Sequence, residues 1–504
     1  MRPTFLGFET TRKSLMASQK ALDITGHNIS NVNTPGYTRQ RVDLFSMVTT
    51  SGGTRYQASR VQCAGQGVYA AGVDQIRDPY LDKKFRELNS DTAESGIKAD
   101  ILTGVEDILD NIDTEGLQSA LIDFQKSMQS FASDSTDRVE IASILTQSAK
   151  QLVSTINNYD YKLDQLQSQT KFEIDASISD INATLSKIAD LNQQIADNYV
   201  SNGDVSLSMA GDYTVNATYG PNELLDTRNF LLDSLSQYGD IEVINQNDGT
   251  VNVKMGGATV VEGKKAVEVA ISEQSSTGAL MLGLSSGETF IPKAGSLKGY
   301  IDMYNGNGCY AEGAQNGEQG IPYFKTVIDK FAETFAIAFN EANVDPQDPS
   351  TERPLFVTND GSFTITAENL RVSDDWIKDP LSIIPNSQDG SLDNSHIHRL
   401  LGVFDKELTF GDRNDFDGTL EGYISYYSNK IAQGIEYEGG RFEANNTLTT
   451  SILDTRDGIS GVSLDEEGIN MMNFQKWFNA SARMMTTLDE ALNTIINNMG
   501  LVGR

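Results

Sequence analysis

The sequence predicts a mainly α protein with β-rich insertions, elongated and multidomain. Its terminal helices are expected to form a coiled-coil-like pair, with a long-helix bundle next and the β material outermost. Three observations carry this. Met471, Phe474, Phe478, Ser481, Met485, Leu488, Leu492, Ile495, Met499 and Val502 alternate steps of three and four over about four heptads, the spacing of a helix seam. No Gly or Pro occurs from Ser135 to Asn202. A helix of about 60 residues there would extend some 90 Å, a rod and not an enzyme shell. Between the helical stretches the apolar period changes to two, beginning at Ile241 and Val243.

Taken in order, the chain opens on Phe8, Leu15, Leu22 and Ile29, one large apolar residue every seven. Thr11, Ser18 and Thr25 fill the next column. A single stripe suits a helix that gains order from partners. It stops at NVNTPGYT, where Pro35 and Gly36 impose a turn, and Thr38 to Val73 reads as short strands and loops. Helical spacing returns at Ile97, Ile101, Val105, Ile108 and Ile112, then at Leu117, Leu121, Phe124, Met128 and Phe131. The long helix follows, with a stripe from Leu145 to Leu166 and a second from Ile174 to Ile188. The change of phase between them leaves a break near Thr170 open.

PNELLDTRNFLLDSLSQ (221–237) reads as a helix with Pro221 in its first turn. Asn247-Asp248-Gly249, between Ile241/Val243 and Val251/Val253, signals a hairpin, and strands are expected to run on to Ile291. SLKGYIDMYN and YFKTVIDKFAETFAIAFNEAN regain helical spacing. Asp345 to Asp405 holds five of the eleven prolines and reads as strands and loops. Leu420, Ile424, Tyr427 and Ile431 mark another helix, with 441–457 as its expected partner. The pattern divides into 1–55 with 461–504 as a terminal assembly domain, and 56–235 with 295–345 and 406–460 as a long-helix bundle. The β-rich outer insertions are 236–294 and 346–405.

The 504 residues carry 70 Asp/Glu against 39 Lys/Arg, a formal charge of −31. The charge is uneven: residues 1–90 hold 12 Lys/Arg against 7 Asp/Glu, and the remainder is 27 against 63. An acidic body keeps copies apart in solution, and no general basic field invites nucleic acid. No apolar run reaches the ~20 residues of a membrane span, and the N-terminus lacks a secretory apolar core. Two cysteines, Cys63 and Cys309, make no disulfide framework or four-cysteine zinc site.

Candidate chemistry is thin. Gly306-Asn-Gly308-Cys-Tyr-Ala311 spells GxGxxA, but it follows a helix and opens none. His396-Ile-His398 puts two imidazoles on one face of an expected strand with no third ligand fixed, and reads as surface histidines in a polar loop. RNDFDG, ending at Gly418, has Arg413 where a calcium loop needs its first carboxylate and Ile424 where it needs a bidentate Glu. Asp465-Glu466-Glu467 sits where acidic residues favour a helix N-terminus. HExxH and GxSxG are absent. No catalytic constellation, cofactor or metal site is expected, and the chain does not read as an enzyme.

ALDITGHNISNVNTPGYTRQRV (21–42) resembles the N-terminal signature of flagellar axial proteins, which include rod proteins, the hook protein and hook-associated protein 1. GHNISNVNTPGYTRQ is most similar to the hook-associated protein 1 family. SGVSLDEEGINMMNFQKWFNASARMMTTLDEALNTIINNMG (460–500) resembles that family's C-terminal motif, and 221–237 resembles a helix of its helical domain. The chain departs from the family's Tyr-Gln-x-x-Tyr at Phe474-Gln475-Lys476-Trp477-Phe478, which keeps the rings and loses the phenols.

The resemblance implies a structural subunit of the bacterial flagellum at the hook–filament junction, secreted by the flagellar type III apparatus and contributing to motility. Its implied partners are copies of itself in a tubular ring, the hook protein, hook-associated protein 3, and an export chaperone at the C-terminal helix. No nucleic acid and no membrane insertion are expected. A hook or rod axial subunit is the near alternative; a secreted enzyme or adhesin displayed on a helical scaffold is the distant one. The expected assembly interface sets Phe8, Leu15, Leu22 and Ile29 against Phe474, Phe478, Met485, Leu488, Leu492 and Ile495. Asn28, Asn31 and Asn33 are read as caps or as residues holding the turn set by Pro35 and Gly36.

Overall fold

The computed structural model describes residues 6–46, 67–109, 116–133, 138–207, 221–274, 276–288, 290–344, 353–383, 394–411 and 416–498. The chain is mainly α with small antiparallel sheets. Eleven α-helices appear among the described residues: α1 (Leu6–Ser30), α2 (Pro79–Leu109), α3 (Leu117–Ser133), α4 (Arg138–Leu207), α5 (Asn222–Tyr238), α6 (Ser296–Asn305), α7 (Ile321–Ala342), α8 (Asp374–Lys378), α9 (Asn394–Asp405), α10 (Leu420–Ser460) and α11 (Leu464–Asn493). The chain groups into two compact units, Met1–Asn89 with Ile181–Glu268 and Asn446–Arg504, and Ser90–Asp180 with Val269–Asn445.

In the first unit, strands β1 (Gln40–Ser46) and β2 (Val68–Gln75) pair antiparallel. A four-stranded sheet runs in chain order, β3 (Ile241–Asn245), β4 (Val251–Met255), β5 (Ala258–Glu262) and β6 (Lys265–Ala266). The expected hairpin forms through Asn247-Asp248-Gly249, with Asn245 opposite Val251 and φ = +79° at Gly249. Val251, Val253 and Met255 are buried on one face, as period-two alternation requires. Asn192 of α4 pins the sheet. Its amide donates to the Val251 and Gly263 carbonyls at 2.9 and 2.6 Å, and its Oδ1 accepts the Val251 N–H.

In the second unit α7 presents Phe324, Phe331, Phe335 and Phe339 to a core shared with Phe124, Met128 and Phe131 of α3 and the first half of α4. The ring centroids of Phe335 lie 4.7 Å from Phe339 and 4.8 Å from Phe356. Strands β7 (Val269–Glu273) and β8 (Leu280–Leu284) pair antiparallel, as do β9 (Phe356–Thr358) and β10 (Leu370–Val372), and β11 (Leu408–Phe410) and β12 (Phe416–Gly418). Leu355, Phe356, Leu370 and Trp376 belong to the same core as the helices. Asn340 of α7 fastens them, accepting the Leu355 and Phe356 N–H groups at 2.8 and 3.0 Å and donating to the Phe356 carbonyl. This grouping cuts across the three-part division expected from sequence: β3–β6 lie with the chain ends, and β7–β10 with the Phe-rich helices.

One reading left open is decided and three local readings change. Helix α4 runs unbroken through Thr170, whose hydroxyl donates to the Leu166 carbonyl at 2.8 Å. Helix α10 is continuous where two partner helices were expected, although Gly434, Gly439 and Gly440 all sit inside it. A Cβ at Gly434 would stand 3.3 Å from Leu102, so that glycine serves close packing. Residues 394–405 form a helix, not strand or loop: Ile397, Leu400, Val403 and Phe404 are buried at helical spacing. His396 is therefore a core residue, 1% exposed and 2.6 Å from Asn343 Oδ1, while His398 on the same helix is exposed.

Candidate functional site: the paired chain ends

Helices α1 and α11 pack against each other in the first unit. Three contacts set their register. A Cβ at Gly7 would lie 3.6 Å from both Leu488 methyls, the hydroxyls of Ser14 and Ser481 are 2.9 Å apart, and Asn28 Nδ2 donates to Glu467 Oε2 at 3.3 Å. The residue numbers of each pair add to 495, so the helices are antiparallel and in step heptad by heptad, with Ala21 opposite Phe474. The α1 column is thus Gly7, Ser14, Ala21 and Asn28. Small residues let the backbones approach, and Ser14 explains why Ser481 interrupts an otherwise apolar seam.

Burial agrees. Thr11, Ala17, Ser18, Ala21, Thr25 and Asn28 are buried on α1, whereas Phe8, Leu15, Leu22 and Ile29 remain half-buried beside them. On α11, Phe474 and Leu488 belong to the column facing α1, and Phe478, Met485 and Leu492 to the next, all half-buried. Ile495 lies beyond the described partner positions and is 47% exposed. Trp477 and Met484 are more than half exposed. Phe474 and Trp477 meet edge to face at 5.3 Å, an aromatic contact on α11 itself.

The inner end of the pair closes on a buried polar node. Asn28 Oδ1 accepts the Gln40 N–H at 3.0 Å and the Tyr37 hydroxyl at 2.7 Å; its Nδ2 donates to the Gln40 carbonyl at 2.9 Å and to Glu467. Glu467 is 2% exposed and also accepts Arg39 Nε at 2.8 Å, while Arg39 reaches Glu466 at 2.7 Å. Ser463 caps α11, accepting the Glu466 N–H, and Asp465, Glu466 and Glu467 occupy its first turn. The acidic run thus serves both the helix dipole and Arg39.

The turn itself is held from within. Asn31 Nδ2 donates to the His27 carbonyl at 3.0 Å and its Oδ1 accepts the Thr34 hydroxyl. Asn33 and Pro35 are exposed. Gly36 has φ = +76°, and a Cβ there would stand 3.2 Å from Phe230. Beyond it the Thr38 N–H donates to Asp226 of α5 at 3.2 Å, and Gln75 donates to the same carboxylate. Burial raises the Asp226 pKa, against the lowering pull of Thr38 and Arg77. Burial and the carboxylates of Asp226, Glu223 and Glu467 also keep the Tyr37 phenol protonated. Arg77 bonds Asp82, Arg456 joins Asp82 to Asp233, and Arg86 bonds Asp233 at 2.7 Å. A ladder of opposite charges therefore ties this turn to α2, α5 and the end of α10.

Sequence reasoning picked out the three asparagines but missed Arg39, Glu467 and Asp226. It also passed over the Gly7-Ser14-Ala21-Asn28 column. Their signal was legible in principle: a seven-residue repeat of small residues, and a Glu seven before Phe474. Among the described residues no group of three His, Cys, Asp or Glu side chains is placed to hold a metal, and no helix is long and apolar enough to cross a membrane. Gly308–Tyr310 of the glycine-rich loop is a single 3-10 turn, and Cys309 is exposed. Cys63 and residues 413–415 of the RNDFDG run lie outside the described residues.

The segments that pair are also the segments with relatives. Residues 8–38 match the family model described as flagella basal body rod protein, and 458–499 the one described as flagellar basal body rod FlgEFG protein C-terminal. Matches to these two models at the two ends mark a protein of the flagellar axial structure. Residues 102–353 match the model for the flagellar hook-associated protein FlgK helical domain. Flagellar hook-associated protein 1 of Bacillus subtilis is 32% identical over the whole of both chains, and that of Escherichia coli is 24% identical over 96% of this chain and 98% of its own. The chain belongs to the flagellar hook-associated protein 1 family, structural proteins of the bacterial flagellum. The solved hook junction protein FlgK of Burkholderia pseudomallei has a similar fold, with a TM-score of 0.57 at 12% identity over 76% of this chain and 100% of that one.

Proposed function

We propose that this chain is a structural subunit of the hook–filament junction, assembling through its paired ends after type III export. The observation that carries the reading is the asymmetry of the α1–α11 pair. On the α1 side its direct contact uses small side chains, and the large apolar column beside them is left half-covered, as a surface completed by neighbouring copies in a tubular ring requires. Burying each large side chain contributes ~1.5–3 kcal/mol, so several incomplete burials per subunit supply ample drive for assembly. Hook protein on one side and hook-associated protein 3 on the other are the partners of this reading. The C-terminal helix, with Trp477 and Met484 exposed, is the segment a chaperone covers before export. Immunogold labelling of intact flagella tests it. A thin zone between hook and filament is expected, and a band along the hook or rod would overturn the assignment.

A further inference from the structure

The α1–α11 seam does not by itself choose a register. Slid by one heptad, Gly7 would face Ile495, Ser14 would face Leu488 and Ala21 would face Ser481, each a small residue against a side chain of acceptable size. Only the last pair objects. Asn28 would meet Phe474, and Glu467, now 2% exposed and bonded to both Asn28 and Arg39, would lose both partners. A buried carboxylate stripped of its partners is among the costliest errors a packed pair can make, and a single buried polar residue is known to fix helix register at the expense of stability.

We infer that the buried Asn28–Glu467–Arg39 node is the device that specifies the register of the terminal helices, and with it the surface they offer to other copies. The inference rests on the proposed pairing of the ends. Asn28 suits the role because its amide cannot turn away: both its oxygen and its nitrogen are bonded to the Gln40 backbone. Arg39 is held as well, through Glu466 and through its own N–H, which donates to the Ser460 carbonyl at 2.8 Å. Removing Glu467 therefore does not strand the guanidinium. The remaining apolar and small residues supply attraction that several registers share; the node supplies the preference among them.

A competition within the full chain reads the register directly. With Cys63 and Cys309 replaced by Ser, the substitutions Ser14→Cys, Ser481→Cys and Leu488→Cys let position 14 form a disulfide with 481 in the native register or with 488 in the slipped one. The product ratio, measured by mass spectrometry after mild oxidation, does not depend on what fraction of chains is paired at any moment. With the node intact the 14–481 product is expected to exceed 14–488 by about 20-fold or more. With Asn28→Leu and Glu467→Leu added, the ratio is expected to fall to within about threefold of unity. Glu467→Gln, which preserves shape and loses the charge, should lower it severalfold and serves if the double variant folds poorly by circular dichroism. An unchanged ratio in the variants would overturn the inference and leave register to the seam or to the Arg39–Ser460 backbone bond. Failure to form the 14–481 product with the node intact would instead refute the pairing of the ends.

Discussion

In the second unit Phe124, Phe331, Phe335 and Phe339 are sealed to 0% exposure and touch one another ring to ring. In the terminal pair α1 sets Gly7, Ser14, Ala21 and Asn28 against the Leu488, Ser481, Phe474 and Glu467 column of α11, and Phe8, Leu15, Leu22 and Ile29 stay half-covered. Both regions are helical and both follow heptad-like spacing, yet one finishes its packing within the chain and the other leaves it open. Large side chains on both sides of a contact complete a core; small ones on one side with large ones flanking them make a subunit edge. The difference lies in where bulk is placed, not in how much of it there is.

The sharpest way to break this comparison is to charge each region in turn. Leu488→Asp with Leu492→Asp places one carboxylate in the column facing α1 and one in the half-covered column beside it, and should abolish incorporation into flagella, scored by motility and by electron microscopy of filaments. Thermal unfolding of the second unit should be unaffected, because none of its core residues is touched. Motile filaments from the double variant would show that the columns are not the assembly surface. The converse change, Phe335→Ala, removes a 0%-exposed ring from the closed core and should cost ~3–5 kcal/mol. Denaturant melts followed through the second unit would register it.

How much of this was legible varies with the physical signal. The long helix and its stripes, α5, α7 and the β3–β4 hairpin follow from periodicity and turn chemistry that act locally. Helix α9 was hidden because its flanks are rich in Pro and polar residues, and only its contacts reveal that Ile397, Leu400 and Phe404 face one core. The continuity of α10 through five glycines is a tertiary effect that overrides propensity. At the site, an apolar stripe advertises large residues, so Phe8 and its column drew attention while the small column in contact did not. Arg39 and Glu467 are 428 positions apart, and no local rule joins them.

A smaller effect separates two glycines of the first unit. Gly36 adopts φ = +76° with Phe230 within 3.2 Å of a Cβ, whereas Gly26 sits inside α1 with nothing within 4 Å. Gly36→Ala should destabilise by ~1–2 kcal/mol. Gly26→Ala should stabilise by ~0.5–1 kcal/mol, through the helix entropy that glycine forfeits. Thermal melts of the two variants should shift in opposite directions; equal shifts would mean the turn is not held as described.

A pH-dependent effect belongs to the closed core and sharpens what closure costs. Asp329 of α7 accepts the Ala367 N–H at 2.7 Å in a setting where burial raises its pKa to about 6. Asp160 pushes in the same direction, while the Ala367 hydrogen bond, Lys325 and Lys330 oppose it. A carboxyl whose folded pKa lies above its unfolded value is penalised only when ionised. Its penalty therefore grows as pH rises from about 4 to 6 and is constant above that. Asp329→Asn keeps an oxygen for the Ala367 N–H and cannot ionise, so it should be the more stable chain at pH 7. Its advantage should shrink by roughly 1 kcal/mol between pH 7 and pH 5. Urea melts of both chains at the two pH values measure this difference directly, and the titration of other carboxylates common to both cancels. An advantage that grew on acidification would mean that the Ala367 hydrogen bond and the two lysines outweigh burial, and that this core tolerates a fixed negative charge.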